Sequence, residues 1–282
     1  MKIAIIIPAY NEERFIDQTL QSLVDQSIRP TQILVVDDNS TDGTASIIKQ
    51  FEEKYDNIRY IKKESEQVHL PGSKIVQAFN FGLSTLSADY DILCKFDADL
   101  IFPANYLERL VTIFKADPKV GMAGGFCHIL NEGKWILENL TNKDHIRGAL
   151  KAYRRACFEQ INGLKPAMGW DTLDELLAQY HGWTIKTDES LAVKHLKPTG
   201  KTYSAKAKLK QGEAFYGMRY GLGLTVIASA KLALRKKDII YFKNCLNGYF
   251  LAKKHKKPFL VSKKEGRFIR RLRWENIGKK LF

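Results

Sequence analysis

The chain has 282 residues, 45% of them hydrophobic, enough for one large folded domain or a domain with an appendage. Its four cysteines, Cys94, Cys127, Cys157 and Cys245, form no CxxC pair and no metal-type spacing, so they read as small buried hydrophobes in a reducing compartment rather than as a disulfide or zinc framework. The net charge of +14 is unevenly placed: residues 195–282 carry 23 Lys/Arg against 4 Asp/Glu, the rest 22 against 27, so a slightly acidic N-terminal part is joined to a strongly basic tail.

The opening apolar run of MKIAIIIPAYNEE ends at Pro8, too short for a signal peptide or a membrane span. The longest later apolar run, 221–234, contains Lys231 and also falls short, so a cytosolic protein is expected. Residues 1–100 then repeat one alternation. KIAIII (2–7) reads as a strand and 11–26 as a helix with Phe15, Ile16, Leu20, Leu23 and Val24 at helical spacing. QILVVDD (32–38) is followed by a helix over 44–55, and NIRYIKK (57–63) by a helix over 73–86. DILCKF (91–96) is the fourth strand. Apolar strands alternating with amphipathic helices predict an α/β fold with a mostly parallel sheet covered on both faces, whose ligand crevice lies beyond the carboxyl ends of the strands. Pro8–Ala9–Tyr10, Asp37–Asp38 and Asp97–Ala98–Asp99 each follow one of these strands, so parallel strands would bring them to one rim.

From residue 101 the pattern changes. The sequence predicts a helix over 103–117, strands over 119–130, 134–140 and 146–153, a short helix near 155–161, a helix over 174–183 ending at Gly182, and a strand over 184–196. Basic helices are expected over 206–254, and 266–282 mixes Phe268, Ile269, Leu272 and Trp274 with arginine and lysine. The organisation implied is 1–200 as one domain, with a nucleotide-binding half (1–100) and an acceptor half (101–200), and 201–282 as a basic amphipathic helical region.

Asp97-x-Asp99 places two carboxylates at i and i+2 at a strand exit, where they can share a divalent cation that cancels an otherwise costly pair of charges. The same pair could instead belong to a turn before Pro103. In VVDDNSTDGT (35–44), Asp42 and Thr44 read as helix-capping residues. Capping does not require Asp38, which could accept a hydrogen bond from the N3–H of a uracil-type base. In PAYNEE (8–13), Pro8 ends the strand, Tyr10 offers a flat face for a base, and Asn11 or Glu12 opens the helix, Asn11 as its cap.

PAYNEE, VVDDNSTDGT and FDADL, in this order and spacing, resemble the N-terminal signature of the family 2 glycosyltransferases of the GT-A fold, inverting enzymes that use nucleotide-activated sugars. The resemblance runs over residues 1 to about 200. It implies Pro8, Tyr10, Asp38 and Lys74 around the base and ribose, with Ala9, Glu12 and Ala98 in the same nucleotide-binding segments. It further implies Asp97 near the ribose or a metal-bound water and Asp99 as ligand to Mn²⁺ or Mg²⁺, which would stabilise the leaving diphosphate. A UDP-sugar is the expected donor.

The attacking hydroxyl needs a base. In the family the catalytic Asp stands eleven residues before a Gly-aromatic pair. Counting back from Gly182-Trp183 reaches Asp171, preceded here by Trp170 where the family has Glu, which leaves Asp174 as a rival. Both could instead favour the N-terminus of the 174–181 helix. His195 lies where some relatives supply a metal-binding His, although a lone His is more often structural. His69, His128, His145, His181 and His255 show no pattern.

The basic tail admits a solvated helical surface, nucleic-acid binding through phosphates, or docking on an anionic membrane face. The interleaving of apolar and cationic residues in 220–237 and 266–274 favours the third, and no RNA-binding motif is visible. The expected enzyme therefore works on the cytoplasmic face of the membrane, on a glycan or lipid-linked acceptor of cell-surface polysaccharide or glycolipid synthesis. The competing expectation is a non-catalytic nucleotide or nucleic-acid binder on the same scaffold. A nucleotidyltransferase would want a glycine-rich phosphate loop after the first strand, and PAYNEE has no glycine.

Overall fold

The computed structural model describes residues 1–64, 73–139, 142–197 and 205–281. Strands β1 (Ile3–Ala9), β2 (Gln32–Asp37), β3 (Ile58–Lys62) and β4 (Ile92–Phe96) alternate with helices α1 (Ile16–Val24), α2 (Thr44–Lys54) and α3 (Ser73–Thr85). Next come β5 (Leu100–Ile101), α4 (Tyr106–Ala116), β6 (Val120–Asn131), β7 (Lys134–Leu137), β8 (Leu150–Arg154), α5 (Arg155–Gln160), α6 (Trp170–Tyr180) and β9 (Thr184–His195). Four helices close the chain: α7 (Ala205–Gly217), α8 (Gly221–Lys236), α9 (Ile239–Lys254) and α10 (Lys263–Leu281).

The strands form one sheet in the order β3-β2-β1-β4-β8-β6-β9-β5, with β7 pairing β6. Its first half, β3-β2-β1-β4, is wholly parallel. Its second half is mixed, because β8 runs antiparallel to both β4 and β6 while β9 is parallel to β6. Strands β1, β2 and β4 are buried on both faces, which is why their sequences are unbroken apolar runs rather than alternations.

The strand order places a topological switch between β1 and β4, the position where open α/β sheets form their crevice. β1 pairs with β2 as far as Ala9 but with β4 only as far as Ile6. Pro8 thus lies inside β1 rather than ending it, in the part with a single paired neighbour, where a missing N–H is tolerated.

Helix α1 begins at Ile16, not at Asn11, and buries Ile16, Leu20 and Leu23. Asn11 is not a cap. It adopts a left-handed backbone (φ 54°), a conformation Asn tolerates better than most residues. Its Oδ1 accepts from the Thr41 N–H at 2.8 Å, and its own N–H donates to Ser40 Oγ at 3.0 Å. The Glu12 N–H donates to Thr44 Oγ1 at 2.8 Å, and Glu13 accepts from the Gly43 N–H at 2.7 Å. The loops after β1 and β2 are therefore clasped to one another.

Helix α6 starts at Trp170, four residues earlier than the sequence predicts, behind Gly169 in the left-handed region (φ 73°). Asp174 is accordingly inside the helix and not at its cap. The basic region is not a detached tail. Phe215, Leu224, Tyr249 and Ile269 of the last four helices belong to the same buried cluster as the sheet residues. Helices α7 and α9 approach backbone to backbone: a Cβ at Gly212 would overlap the Cys245 carbonyl, and one at Gly248 the Leu209 carbonyl.

Candidate active site

The carboxyl ends of β1, β2 and β4 meet at one rim. The Asp38 N–H donates to the Ala9 carbonyl at 2.8 Å, which sets Asp38 alongside Ala9 and the half-exposed Tyr10. Asp38 itself pairs with Lys63 at 2.9 Å. Its neighbour Asp37 is structural: it accepts from the Tyr60 hydroxyl at 3.0 Å and from the Ser40 N–H at 2.8 Å. Lys74 lies in the first turn of α3.

The Asp97–Ala98–Asp99 segment is held from below by polar side chains of α1 and of the turn that follows it. Thr19 Oγ1 donates to the Ala98 carbonyl at 2.9 Å and accepts from the Leu100 N–H at 3.0 Å. Ser22 Oγ accepts from the Phe102 N–H at 3.2 Å, and Gln26 bonds both the Pro103 carbonyl and the Leu107 N–H. From the other side, β5 pairs with the end of β9, with Leu100 opposite His195, and the Leu196 N–H donates to the Asp99 carbonyl at 2.9 Å. That short ladder, too brief to detect in sequence, brings Asp99 and His195 together across almost a hundred residues.

Asp97 pairs with the buried Lys95. Asp99 is buried, with Oδ2 3.4 Å from His195 Nε2 and Oδ1 without a hydrogen-bond partner. His195 Nδ1 bonds Glu138 Oε2 at 2.7 Å, which fixes the ring with Nε2 toward Asp99. Burial alone would lower the His195 pKa, but hydrogen bonds to Asp99 and Glu138 carry it up to about 9. Glu12 joins this group. Burial raises its pKa, the hydrogen bond from Lys197 (2.9 Å) works against that, and the charges of Asp99 and Asp97 raise it further. Its Oε2 is buried without a partner.

These donors fit a divalent cation: a buried carboxylate oxygen with no proton donor, a histidine nitrogen beside it, and a second carboxylate orienting the ring. Among the described residues, the potential ligand atoms of Cys127, Glu138 and His195 also lie within 4.8 Å of one another. Glu138 is already paired with Arg147, and burial pushes the Cys127 thiol up to about 12, so this trio supports His195 rather than forming a site of its own. Sequence reading missed Glu138, whose spacing from His195 carries no signal.

The two rival acids of α6 separate cleanly. Asp174 is 2% exposed, accepting from Lys151 Nζ at 2.8 Å, from the Tyr153 hydroxyl at 2.6 Å and from the Glu175 N–H at 2.7 Å. Both of its oxygens already accept hydrogen bonds within the fold. The Asp171 side chain is 33% exposed and faces a cavity of about 940 Å³ between α6, α8 and α10. Its Oδ2 lies 3.6 Å from His145 Nε2, while His145 Nδ1 bonds Glu175 at 2.9 Å. Burial would raise the Asp171 pKa, but the His145 hydrogen bond and the charges of His145 and Lys151 hold it down to about 2. His145, which carried no pattern in the sequence, is thus the partner of the candidate base.

Two buried lysines tie these groups together. Lys95 and Lys151 stand opposite one another in the β4–β8 ladder, and both lie over the Trp170 ring, at 5.4 and 5.9 Å. One neutralises Asp97; the other is shared by Asp174 and Glu175.

Comparison with known proteins agrees with this geometry. A family model described as glycosyl transferase family 2 matches residues 4–162. The Bacillus subtilis protein named "Probable glycosyltransferase YdaM" is 32% identical over 206 residues, 66% of this chain and 46% of that protein, so the chain spans less than half of this relative's length. Among solved structures, Staphylococcus aureus TarS 1–349 in complex with UDP-GlcNAc is similar with TM-score 0.58 and 20% identity, over 78% of this chain and 65% of that one. The mannosyltransferase PcManGT of Pyrobaculum calidifontis, in complex with GDP-Man and Mn²⁺, is similar with TM-score 0.59 and 18% identity, over 100% and 81%. The family match covers more than half of the sequence and takes in all three rim motifs, and the chain belongs to glycosyl transferase family 2.

Proposed function

We propose that the chain transfers a sugar, with inversion, from a nucleoside diphosphate sugar to a hydroxyl acceptor, with Asp99 and His195 holding a divalent cation and Asp171 acting as base. The observation that carries this reading is Asp99 Oδ1, a buried carboxylate oxygen with no partner at the crevice between β1 and β4. A buried charge left so is costly unless something occupies the site. When bound, the cation would supply positive charge against the departing diphosphate. Tyr10 offers a ring face to the base, Asp38 an acceptor beside it, and Lys74 a cation from α3. Ala9 and Ala98 let nucleotide approach the backbone, and Asp97 is positioned for the ribose or a bound water. Glu12 completes the acidic lining.

The two structural neighbours are complexes with different donors, UDP-GlcNAc and GDP-Man, the second with Mn²⁺. For this chain we favour UDP, on the ground that the Asp38 carboxylate can accept from a uracil N3–H. The acceptor belongs to cell-surface polysaccharide or glycolipid synthesis. Among the described residues no helix is long and apolar enough to cross a membrane. Docking on an anionic membrane face is supported at the α8–α9 corner, where Leu234, Ile239 and Ile240 are 78, 69 and 61% exposed among Arg235, Lys236 and Lys237. In α10, Ile269 is buried and Phe268 packs on Tyr180, while Trp274 is 48% exposed.

The test is thermal stabilisation by UDP, GDP and dTDP with and without Mn²⁺. The wild type is expected to be stabilised by UDP with Mn²⁺, and Asp99→Asn to lose that stabilisation. Equal stabilisation of the variant would remove the metal role assigned to Asp99, and no response to any nucleotide would remove the donor site.

A further inference from the structure

The cavity that Asp171 faces is larger and more cationic than a hydroxyl needs. Its wall along α8 runs from Leu224 to Lys236, about 18 Å of helix at 1.5 Å per residue. The chemistry changes along it. Leu224 and Ile227, with Phe215 of α7 and Ile277 of α10, give an apolar stretch. Lys231, Arg235 and Lys236, joined by Arg273 and Lys279 of α10, make the remainder basic. Asp171 and Asp144 are the acids of the lining.

A solvated basic surface would not bury a guanidinium nitrogen. Arg273 Nε is buried without a hydrogen-bond partner, and its guanidinium lies 5.9 Å from the Tyr220 ring centre, on the cavity wall. Nε is closed off beside the Tyr220 ring, which fixes the plane of the guanidinium, so an anion in the cavity would meet its outer nitrogens, the fork that binds phosphate oxygens. The basic stretch is also within reach of the candidate base. The Arg235 guanidinium donates to Asn142 Oδ1 at 3.4 Å, and three residues later His145 touches Asp171. Three residues of extended chain span at most about 11 Å.

We propose that this cavity binds an acceptor carrying a phosphate or diphosphate group, which the cations of α8 and α10 hold while Asp171 meets the acceptor hydroxyl. The proposal rests on the glycosyl-transfer reading above and names the class of acceptor within it. The apolar stretch beside the cations accommodates a lipid-linked diphosphate, and the cations alone a soluble sugar or polyol phosphate.

The test measures binding of farnesyl diphosphate, inorganic pyrophosphate and glucose 6-phosphate to the full chain by calorimetry in EDTA, which silences a metal-dependent donor site. Wild type is expected to bind at least one of them, with affinity at least tenfold weaker in Arg273→Gln and in Lys231→Gln/Arg235→Gln. The second variant lies on exposed positions and reads the same dependence if Arg273→Gln does not fold. UDP binding with Mn²⁺, measured in parallel, is expected to stay within twofold in these variants and to be lost in Asp99→Asn, which should keep its phosphate binding. Farnesyl diphosphate binding at least tenfold tighter than pyrophosphate identifies a lipid-linked acceptor; equal affinities identify a soluble phosphate. Binding unchanged in both cationic variants, or absent at millimolar probe, overturns the acceptor assignment. Loss of UDP binding in the wild type would instead overturn the donor reading.

Discussion

Asp171 and Asp174 stand one helical turn apart in opposite surroundings, the first part-exposed at a cavity and the second buried. The sequence offers both as the base, and only burial separates them. Asp171→Asn should lower the rate of donor consumption by about 10²–10⁴-fold with nucleotide affinity unchanged, the span typical of losing a general base. Asp174→Asn should leave the rate within a few-fold and lower the melting temperature, because it weakens a buried network. The reverse pattern would exchange their roles. His145 adds a pH signature. Its pKa is raised to about 9, against 6.5 for a free imidazole, by hydrogen bonds to Asp171 and Glu175 that overcome burial. A raised pKa contributes stability that is fully present below pH 6.5 and is lost as pH rises through about 9. The contribution is at most about 3 kcal/mol, from 1.36 kcal/mol per unit. Denaturant titrations between pH 6 and 10 should therefore slope downward in the wild type and less so in His145→Gln. Identical slopes would show that the His145 contacts carry no net stability.

At the scale of elements, what was legible followed from periodicity. The alternating apolar runs of residues 1–100 gave four strands and three helices, close to their observed bounds except at the start of α1, because those strands are mostly buried on both faces and those helices on one. Three features were hidden. β5 is two residues long and has no period. The clasp between the loops after β1 and β2 reads in sequence as ordinary capping, although Asn11 and Thr41 bond each other and not a helix end. The third is the polar set of α1 and the turn after it, where Thr19 and Ser22 of the helix and Gln26 just beyond its end are buried beside the apolar stripe. A hydrophobicity count passes over such residues, yet they hold the segment that presents Asp99. Thr19→Val keeps the side-chain shape but leaves the Ala98 carbonyl and the Leu100 N–H without their partner. It should cost about 1–3 kcal/mol in urea unfolding. It should also weaken Mn²⁺ affinity by about 10–100-fold, as displaced supporting residues commonly do. Destabilisation with unchanged Mn²⁺ affinity would show that α1 supports the fold without positioning the site.

Across the whole molecule, the parallel half and the mixed half meet at the antiparallel seam between β4 and β8. There Lys95 and Lys151 are buried side by side, with Trp170 against both. Lysines in the middle of DILCKF and of LKAYR look in sequence like interruptions of apolar strands. In the fold they are the counterions of two acidic groups, Asp97 after β4 and Asp174 with Glu175 in α6. A buried pair of this kind adds little net stability over an apolar replacement, but half of it cannot be removed cheaply. Lys151→Met therefore should cost about 3–5 kcal/mol by leaving Asp174 buried without a cation and Glu175 with His145 alone. Adding Asp174→Asn and Glu175→Gln removes the stranded charges, and the triple variant should recover part of that loss. Both quantities come from urea unfolding of the three proteins at one pH. A loss below about 1 kcal/mol in the single variant, or a triple variant less stable than the single, would mean that water or rearranged partners already neutralise the acids. The seam would then be held by its apolar packing and its β4–β8 ladder, and not by the two lysines and their acids.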